Sequence, residues 1–491
     1  ANECLKLLSF SRNSNITVAQ CLNSPRFANM QRNRNLLIAA TETYSRKTVI
    51  NKRLDFDSVL LTANKLLTDF ADVRDAAKQN FKIILVDEYQ DTNLLQSKLL
   101  EKLNTGNNIT VVGDDAQSVY SFRAARIENI LEFENSFAAT CITLDTNYRC
   151  PKNILDMAEA SLSHNTQRIE REIRAAIPDG PRPSLIETKD QAEEAERVAN
   201  EIAQIIDRGV PPTKVCVLYR ANRLSIPLQQ ALTRREISFV LPDEDDFFSL
   251  LHIKSVMSVL RLVTEPEDRI ALAAIYDLIS PNNLAELDAL DATADTRQMS
   301  FWDVVEDAVD ANSPVRDLAK RLADIRNHDI EKSSVAESLG LVIRLLEQPL
   351  QSLSGGGSIW QLWLADLTIL QSLAQPFSSV KDFLSTISAR NVDRNEDENC
   401  VRFSSIHAAK GLEWDHVFVI GLVEFWFPMR LAIADQGNDE EERRLFYVAS
   451  TRSSKELYLS TFRSNVNPYG RVMEQEKSRF IGEVSNYLNR I

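Results

Sequence analysis

The segment Phe81-Lys82-Ile83-Ile84-Leu85-Val86, followed at once by Asp87-Glu88-Tyr89-Gln90-Asp91-Thr92-Asn93, decides the fold class of this chain. The first six residues form a short apolar run without alternation, which is typical of a strand buried on both faces of a parallel sheet. Three similar runs follow, namely Ile109 to Val112, Val215 to Tyr219 and His416 to Ile420. Helical patterns alternate with them, namely Leu94 to Leu103, Pro151 to His164, Glu193 to Asp207 and Glu440 to Ser450. This alternation predicts an α/β fold with parallel sheets.

Composition limits the class of protein. The chain has 491 residues, enough for several domains, and its 44% hydrophobic and 26% charged residues are typical of a soluble globular protein. Acidic residues number 70 against 56 Lys and Arg, a net charge of −14, so any contact with nucleic acid needs a local basic groove. The six cysteines have no zinc-binding spacing, and no apolar run is long enough to cross a bilayer. We therefore expect a cytoplasmic protein with no membrane partner.

The sequence pattern changes along the chain and predicts five segments. Residues 1–50 are polar and compatible with helices, whereas 51–140 and 141–270 carry strand and helix signals. Residues 271–399 are rich in Leu, Ala and Asp with helical periodicity, and 400–491 returns to the α/β pattern. The chain therefore reads as α/β sequence interrupted by a helical unit.

Two local patterns add detail to this division. Apolar residues recur at three- and four-residue steps from Phe56 to Phe70, which predicts a helix that begins beside Asp55. The segment Ser354-Gly355-Gly356-Gly357-Ser358 predicts a flexible connection between two helices.

Two acids follow the first strand directly. Because the carboxyl ends of parallel strands face the ligand crevice, Asp87 and Glu88 are expected at the mouth of the sheet. One carboxylate there could hold Mg²⁺ while its neighbour orients or deprotonates a water. A solvated acidic turn before the helix from Leu94 would explain the same residues without any catalytic role.

The second strand leads into Val112-Gly113-Asp114-Asp115-Ala116-Gln117-Ser118-Val119-Tyr120-Ser121-Phe122-Arg123. Gln117 could bridge a phosphate and the next structural layer. Tyr120, Phe122 and Arg123 combine aromatic faces with a cation, a mixture that stacks bases and follows a single strand. Burial of both aromatics in a core is the alternative.

Arginines mark two further segments. A third strand is expected to end in Leu144-Asp145-Thr146-Asn147-Tyr148-Arg149, and a helical stretch ends near Arg452. Both arginines could neutralise charge on a transferring phosphoryl group, although surface salt bridges remain an alternative. For Arg443 and Arg444, which follow three glutamates, the surface salt bridge is the favoured interpretation.

The segment Ser405-Ile406-His407-Ala408-Ala409-Lys410-Gly411-Leu412-Glu413-Trp414 lies between two strand runs. Its small residues and Gly411 permit close approach of the backbone to a ligand. A tight structural turn would explain them equally well.

In this order, these segments resemble the UvrD/Rep-type branch of the superfamily 1 DNA helicases. The resemblance extends from about Leu54 to Phe480 and rests on the ordered motifs DEYQDTN, GDDAQSVYSFR, NYR, VLYRAN, IHAAKGLE and EERRLFYVASTR. It implies two RecA-like parallel-sheet domains, the first incomplete in this chain, with inserted helical subdomains. Residues 51–140 would be part of the first domain, and 141–270 with 400–491 would form the second.

The resemblance implies a role for each candidate residue. Asp87 would bind Mg²⁺, Glu88 would be the catalytic base and Gln117 would sense the γ-phosphate of ATP. The remaining ATP contacts would be Arg149 and Arg452 as arginine fingers, with Glu413 and Gly411 beside the nucleotide. The DNA track would comprise Tyr120, Phe122, Arg123 and His407. Relatives move 3′ to 5′ on single-stranded DNA, so single strands and duplex junctions are the expected partners, together with a protein or nuclease subunit.

The chain also departs from the family pattern. None of its 13 glycines is followed by lysine, so the phosphate loop G-x-x-x-x-G-K-[S/T] is absent. We expect that loop to lie upstream of Ala1; the alternative is an ATPase-deficient scaffolding subunit that binds DNA. Ala124 stands where the family commonly has glycine, and Phe425-Trp426 stands where it commonly has smaller residues; both departures concern the DNA path and leave the expected ATP chemistry unaffected.

Overall fold

The computed structural model describes residues 2–106, 108–178, 180–241, 247–279, 284–309, 313–327, 334–375, 377–389, 399–466 and 471–491. Within these ranges no helix is both long and apolar enough to cross a membrane. None of the six cysteines forms a disulfide among the described residues.

The N-terminal part is helical, as the sequence predicts. Its helices are α1 (Asn2–Ser14), α2 (Val18–Cys21), α3 (Arg34–Ile50), α4 (Phe56–Asp69) and α5 (Ala71–Asn80). The prediction of α4 is confirmed, because Asp55 caps it by accepting the Ser58 N–H at 2.7 Å. Only part of its apolar stripe is covered, however: Leu67 is buried, whereas Phe56 is 93% exposed.

A small parallel sheet follows. Its elements are β1 (Ile84–Val86), α6 (Leu94–Leu103), β2 (Ile109–Val111), α7 (Glu128–Leu131) and α8 (Phe133–Phe137). The strands pair in parallel with Ile84 opposite Ile109, as predicted. The prediction that Phe81 to Val86 is buried on both faces is wrong, since β1 has three residues and Leu85 is 76% exposed. Among the described residues β1 pairs with β2 alone, so the outer edges of this small sheet have no paired strand.

The Asn-Tyr-Arg motif lies inside a strand. The next elements are β3 (Thr146–Pro151), α9 (Lys152–Leu162) and β4 (Arg174–Ile177), and β3 pairs with β4 in parallel. The expected third strand ending at Leu144 to Arg149 is therefore wrong: regular structure begins at Thr146. The side-chain oxygen of Asn147 accepts the N–H groups of Arg149 and Cys150 at 2.9 and 2.8 Å, which interrupts the ladder and turns the Arg149 segment.

The second α/β part begins with β5 (Ser184–Thr188), α10 (Gln191–Asp207), β6 (Val215–Tyr219), α11 (Ile226–Arg234) and β7 (Phe239–Val240). All five residues of β6 are buried, as its uninterrupted apolar run predicts for a strand with helices on both faces.

A helical unit interrupts the α/β sequence. It comprises α12 (Leu251–Thr264), α13 (Arg269–Ile279), α14 (Leu284–Arg297), α15 (Phe301–Ala308), α16 (Pro314–Asn327), α17 (Val335–Ser354), α18 (Gly357–Ala374) and α19 (Val380–Ala389). Gly355 and Gly356, both with positive φ, connect α17 to α18, so the predicted connection between helices is confirmed. Side chains of α12 belong to the same core as the later helices, which places α12 in this unit, ahead of the sequence boundary at residue 271.

The chain then returns to complete a seven-stranded parallel sheet. The final elements are β8 (Val401–Ser405), β9 (Trp414–Val419), α20 (Arg430–Gln436), α21 (Glu440–Ser450), β10 (Ser453–Phe462), β11 (Ser464–Val466), β12 (Val472–Glu474), α22 (Arg479–Glu483) and β13 (Asn489–Arg490). The strand order is β13-β5-β10-β9-β6-β8-β7. Non-consecutive neighbours such as β6 and β9 follow the crossover connections that parallel pairing requires. Among the described residues, three parallel sheets (β1-β2, β3-β4 and the seven-stranded sheet) with helical additions are therefore observed, which is the α/β class expected from the sequence.

Candidate functional site

Asp87 and Glu88 lie at the carboxyl end of β1, where the sequence places them. Both are exposed, and the Glu88 N–H donates to Oδ1 of Asp87 at 2.9 Å. Glu88 has a left-handed backbone, with φ 50°, which is uncommon outside glycine and redirects the chain. The Tyr89 N–H then donates to the Val112 carbonyl, so the segments that follow β1 and β2 are held together.

Gln90 fixes the backbone after β2. Its Oε1 accepts the Asp114 N–H at 2.9 Å, and its Nε2 donates to Glu88. A Cβ atom at position 113 would lie 2.5 Å from Oε1 of Gln90, so Gly113 is required for this close approach. The two strand ends are thus joined through one buried amide.

The side chain of Gln117 is held by Asp114, one of two adjacent carboxylates. Its Nε2 donates to Oδ2 of Asp114 at 2.7 Å. Arg171 in turn pairs with Asp114 and lies 3.0 Å from Oδ1 of Asp115. Burial raises the pKa of Asp115, and the Arg171 charge opposes that shift. The position of Gln117 therefore depends on Arg171, a residue from the neighbouring α/β part.

Arg149 and Arg452 occupy one neighbourhood. Nε of Arg149 lies 2.6 Å from a carboxylate oxygen of Glu413, and Nη1 of Arg452 donates to the Leu412 carbonyl at 3.3 Å. Burial, together with the nearby charge of Arg149, lowers the pKa of Arg452 to about 10. Two guanidinium groups that repel each other through a shared space are suited to receive an anion between them.

Arg443 and Arg444 are buried, so the expected surface salt bridges are wrong. Arg443 pairs with Asp439 and Glu483, and Nε of Arg444 donates to the Ser118 carbonyl at 2.9 Å. The physical reason is that α21 is enclosed by its neighbours on every side, so its charged residues must find buried partners.

The four residues of the predicted DNA track cluster together. The Tyr120 hydroxyl donates to the His407 carbonyl at 3.0 Å, and the Phe122 ring lies 5.4 Å from the His407 ring. The Arg123 guanidinium lies 5.2 Å from the Tyr120 ring centre and 5.6 Å from that of Phe122. Tyr120 is partly buried, but Phe122 is 46% exposed, which argues against the core alternative for Phe122.

The imidazole of His407 is uncharged at neutral pH. Burial lowers its pKa to about 3, and the positive charges of Arg220 and Arg123 contribute in the same direction. Its ring can therefore offer a face or a hydrogen bond at neutral pH without carrying charge.

Lys410 was missed by the sequence interpretation. Its Nζ lies 2.5 Å from Oδ2 of Asp91 and 3.2 Å from Oε2 of Glu88, and it donates to the Gln117 carbonyl at 3.0 Å. It also lies 5.2 Å from the Tyr120 ring centre, and its side chain is only 8% exposed. The sequence feature that could have indicated Lys410 is its position between the small residues Ala409 and Gly411. A lysine that is buried among small residues needs a carboxylate partner.

The contacts divide the candidate residues into three groups. In the first group, Glu88 forms an ion pair with Lys410 of the segment between β8 and β9. In the second, Arg149 forms an ion pair with Glu413. In the third, the aromatic residues of the predicted DNA track contact His407. Within the described ranges, no hydrogen bond or ion pair joins Asp87 or Glu88 to Arg149 or Arg452. The charge of Asp114, in the segment after β2, nevertheless acts to raise the pKa of Arg452. Gly411 has φ 87°, and a Cβ there would meet nothing within 4 Å, so its backbone is open.

Asp87 fits a magnesium ligand. Mg²⁺ is usually bound through one or two carboxylates together with substrate phosphates, and an exposed carboxylate at a strand end meets that requirement. No cluster of three or more metal-binding side chains occurs among the residues described, so phosphate oxygens and water would complete the coordination.

Acids after β1 and arginines in the neighbouring α/β part define the class of parallel-sheet proteins whose strand-end loops can receive a charged ligand. Residues 2–138 match the UvrD/REP helicase N-terminal domain, and residues 142–313 and 313–464 match the UvrD-like helicase C-terminal domain. The chain belongs to the UvrD/Rep helicase family of superfamily 1.

Curated relatives agree with this assignment. The chain is 30% identical over 471 residues to a protein named ATP-dependent DNA helicase PcrA from Staphylococcus epidermidis, covering 91% of this chain and 64% of the relative. It is also 30% identical over 466 residues to the protein of the same name from Staphylococcus aureus, covering 91% of this chain and 63% of the relative. The chain thus spans somewhat less than two thirds of the length of these relatives.

Proposed function

We propose that this protein is an ATP-dependent DNA motor, a helicase or translocase that moves 3′ to 5′ along single-stranded DNA in the cytoplasm. The observation that supports this most directly is the bridge made by Lys410, which links the larger sheet to Glu88 and Asp91 beside the smaller one. A ligand at this junction would contact both sheets, so its hydrolysis could change how they pack.

Each residue of the site has a proposed chemical task. Glu88 takes the proton from the attacking water, while Gln117, held by Asp114, orients groups near the terminal phosphate. Arg149 and Arg452 neutralise the charge that develops on the phosphate oxygens, and Glu413 keeps Arg149 in place. Asp87 would hold Mg²⁺, which when bound neutralises phosphate charge.

The exposed aromatic and arginine side chains suit a single-stranded substrate. Phe122 offers a ring face for a base and Arg123 a charge for a phosphate, so binding depends little on base identity. Arg123 takes part in no ion pair among the described residues, which leaves its charge available. A duplex junction would be met as the strand advances, and a protein or nuclease subunit remains a proposed partner.

The test is ATP hydrolysis by the natural protein, measured with and without single-stranded DNA. Glu88→Gln should reduce turnover by about 10²–10⁴-fold while ATP and DNA binding persist, because the base is removed and the side-chain size is kept. Glu134→Gln is the matched control, since Glu134 is exposed in the same unit, and it should leave turnover unchanged.

Two results would count against the proposal, and a third would decide between its helicase and translocase forms. Normal turnover in Glu88→Gln would exclude Glu88 as the base. DNA binding without any hydrolysis by the natural protein would favour the scaffolding alternative, which the missing Gly-Lys loop motivates. Displacement of a bound protein without separation of a duplex that carries a 3′ tail would identify a translocase that does not unwind.

A further inference from the structure

Phe425 has an unusual backbone and an exposed ring. Its φ is 67°, a left-handed conformation that is a genuine outlier for a bulky residue. Its ring is 48% exposed, whereas the side chain of Phe427 is fully buried against Phe446 and Phe480. Strained residues that point outward are concentrated at binding sites, so this one requires an explanation.

Arg430 lies on the Phe425 ring. Its guanidinium carbon is 5.4 Å from the ring centre, and its N–H donates to the Phe425 carbonyl at 3.2 Å, so the same turn positions both side chains. Arg430 is exposed, and no carboxylate among the described residues lies within ion-pair distance of it. An aromatic face beside an unneutralised cation is the chemistry that binds a nucleic-acid base and its phosphate.

The Phe425 and Arg430 pair repeats the arrangement of Phe122 and Arg123. In both pairs an exposed ring of similar accessibility carries a guanidinium within 6 Å, 5.4 Å here and 5.6 Å there. Both cations are exposed as well. The resemblance between the two pairs is in chemistry and geometry, not in sequence.

Two chains of contacts join the pairs. Helix α20 begins at Arg430 and ends at Gln436, whose Nε2 donates to the Ser121 hydroxyl at 2.7 Å, and six residue steps along a helix span about 9 Å. Independently, the Met429 N–H donates to Glu442 at 2.8 Å, and Glu442 pairs with Arg220 beside His407. Both links connect the Phe425 loop to the track of Phe122 and His407.

We propose that Phe425 and Arg430 form a second contact for single-stranded DNA, in which the ring stacks on a base and the guanidinium neutralises the adjacent phosphate. The inference rests on the proposed function, because it needs a bound single strand. It extends that strand from Phe122 past α20 to the loop after β9.

Binding of fluorescently labelled oligothymidylates of increasing length tests the proposal. For strands long enough to reach both contacts, Phe425→Ala should weaken affinity roughly 5- to 150-fold, the range for one lost stack, and Phe425→Tyr should restore it. The affinity for short strands should be unchanged by Phe425→Ala but lowered by Phe122→Ala. Leu353→Ala, an exposed apolar side chain on α17, is the control and should change neither affinity.

Salt dependence separates stacking from charge. Arg430→Gln should reduce the slope of log affinity against log salt by about 0.7, the value for one phosphate contact on a single strand, whereas Phe425→Ala should leave the slope unchanged. Phe425→Gly removes the ring and suits the positive φ, so it should melt at a higher temperature while binding long strands more weakly.

The outcomes distinguish this inference from the proposed function. If Phe122→Ala weakens binding but Phe425→Ala, Phe425→Gly and Arg430→Gln do not, the second contact is refuted and the motor proposal stands. If no strand binds at all, both fail. If Phe425→Ala does not fold, Phe425→Gly and Arg430→Gln still decide the question.

Discussion

Glu194 is a buried carboxyl group at the start of α10, and no described cation neutralises it. Its Oε1 accepts from the Ser460 hydroxyl at 2.7 Å and from the Gly421 N–H at 3.1 Å. Burial raises the pKa of Glu194 from 4.5 to about 7, although both hydrogen bonds oppose the shift. The group therefore carries a proton in the folded protein at pH values where the unfolded chain has lost it.

We predict that Glu194→Gln removes a pH dependence of stability. Between pH 4.5 and 7 the folded state holds more protons than the unfolded state, so this residue's contribution to stability is present at low pH and lost as pH rises. The variant should match the parent below pH 4.5 and be more stable above pH 7, by up to about 3 kcal/mol. Melting temperatures across pH measure the difference, and a constant difference would contradict the assignment.

At the scale of elements, the segment between β8 and β9 is attached to the ends of β1 and β2 through Lys410. Burial raises the pKa of Asp91, and the ion pair with Lys410 opposes that shift. Oδ1 of Asp91 finds no hydrogen-bond partner in the part of the chain that the structure describes, so Lys410 supplies its main compensation. The attachment is thus a partly buried ion pair at a junction of three loops.

We predict that Lys410→Met lowers the free energy of unfolding by about 1–3 kcal/mol, because it leaves the partly buried carboxylate of Asp91 without its paired lysine. The double variant with Lys410→Met and Asp91→Asn should lose less free energy of unfolding than the two single variants together, and urea unfolding measures this difference. Lys455→Met is the control: its pair with Asp415 at 2.7 Å involves a lysine that is 64% exposed, so the loss should not exceed about 1 kcal/mol. Additive effects would show that Lys410 does not act on Asp91.

Elements with one dominant local signal could be predicted from the sequence. The bounds of α6, α21 and β6 match the sequence patterns residue for residue, because an apolar stripe or an uninterrupted apolar run fixes both ends. The start of β3 could not be predicted, since the Asn147 side chain competes with the backbone ladder. The exposure of Leu85 depends on which elements pack against β1, and a local pattern does not contain that information.

The candidate site was predictable to a similar degree. The family resemblance assigned Arg149 and Glu413 separately to the nucleotide; it did not predict their direct contact, which the structure shows. The contacts of Lys410 and Arg171 join segments far apart in the chain, so no spacing rule could reveal them.

Across the whole molecule, the net charge is unfavourable for binding DNA, the proposed substrate. The net charge of −14 would repel DNA, yet Arg123 and Arg430 are exposed and carry no ion pair among the described residues, whereas several other arginines are paired with acids. Arg220, for example, is held by Glu442. Local cations that remain unneutralised can attract phosphate within a Debye length even when the total charge is negative.

The helical unit is joined to the sheet unit through a buried polar cluster. Nη1 of Arg223, which follows β6, lies 3.8 Å from Oδ1 of Asp366 in α18, and Nε2 of His252 in α12 lies 2.9 Å from Oδ2 of the same carboxylate. Arg223 also lies 5.3 Å from the Trp426 ring centre. Beside this cluster, Ile226 of α11 inserts into the helical core. The carboxylate of Asp366 therefore connects two units that otherwise meet through apolar contacts and few hydrogen bonds.

We predict that Asp366→Asn destabilises the junction by about 3–5 kcal/mol, because Arg223 stays charged and buried while its only described carboxylate is lost. Nε and Nη2 of Arg223 already find no hydrogen-bond partner among the described residues, so no other group can compensate. Thermal unfolding should shift to lower temperature, and limited proteolysis should cut faster between the units. Asp317→Asn, whose pair with Arg321 on α16 is exposed, should change stability by less than about 0.5 kcal/mol. Replacing Arg223 and Asp366 together by leucine should recover most of the loss, since removing both charges abolishes the desolvation penalty; equal damage from the double change would show that packing, and not charge, joins the units.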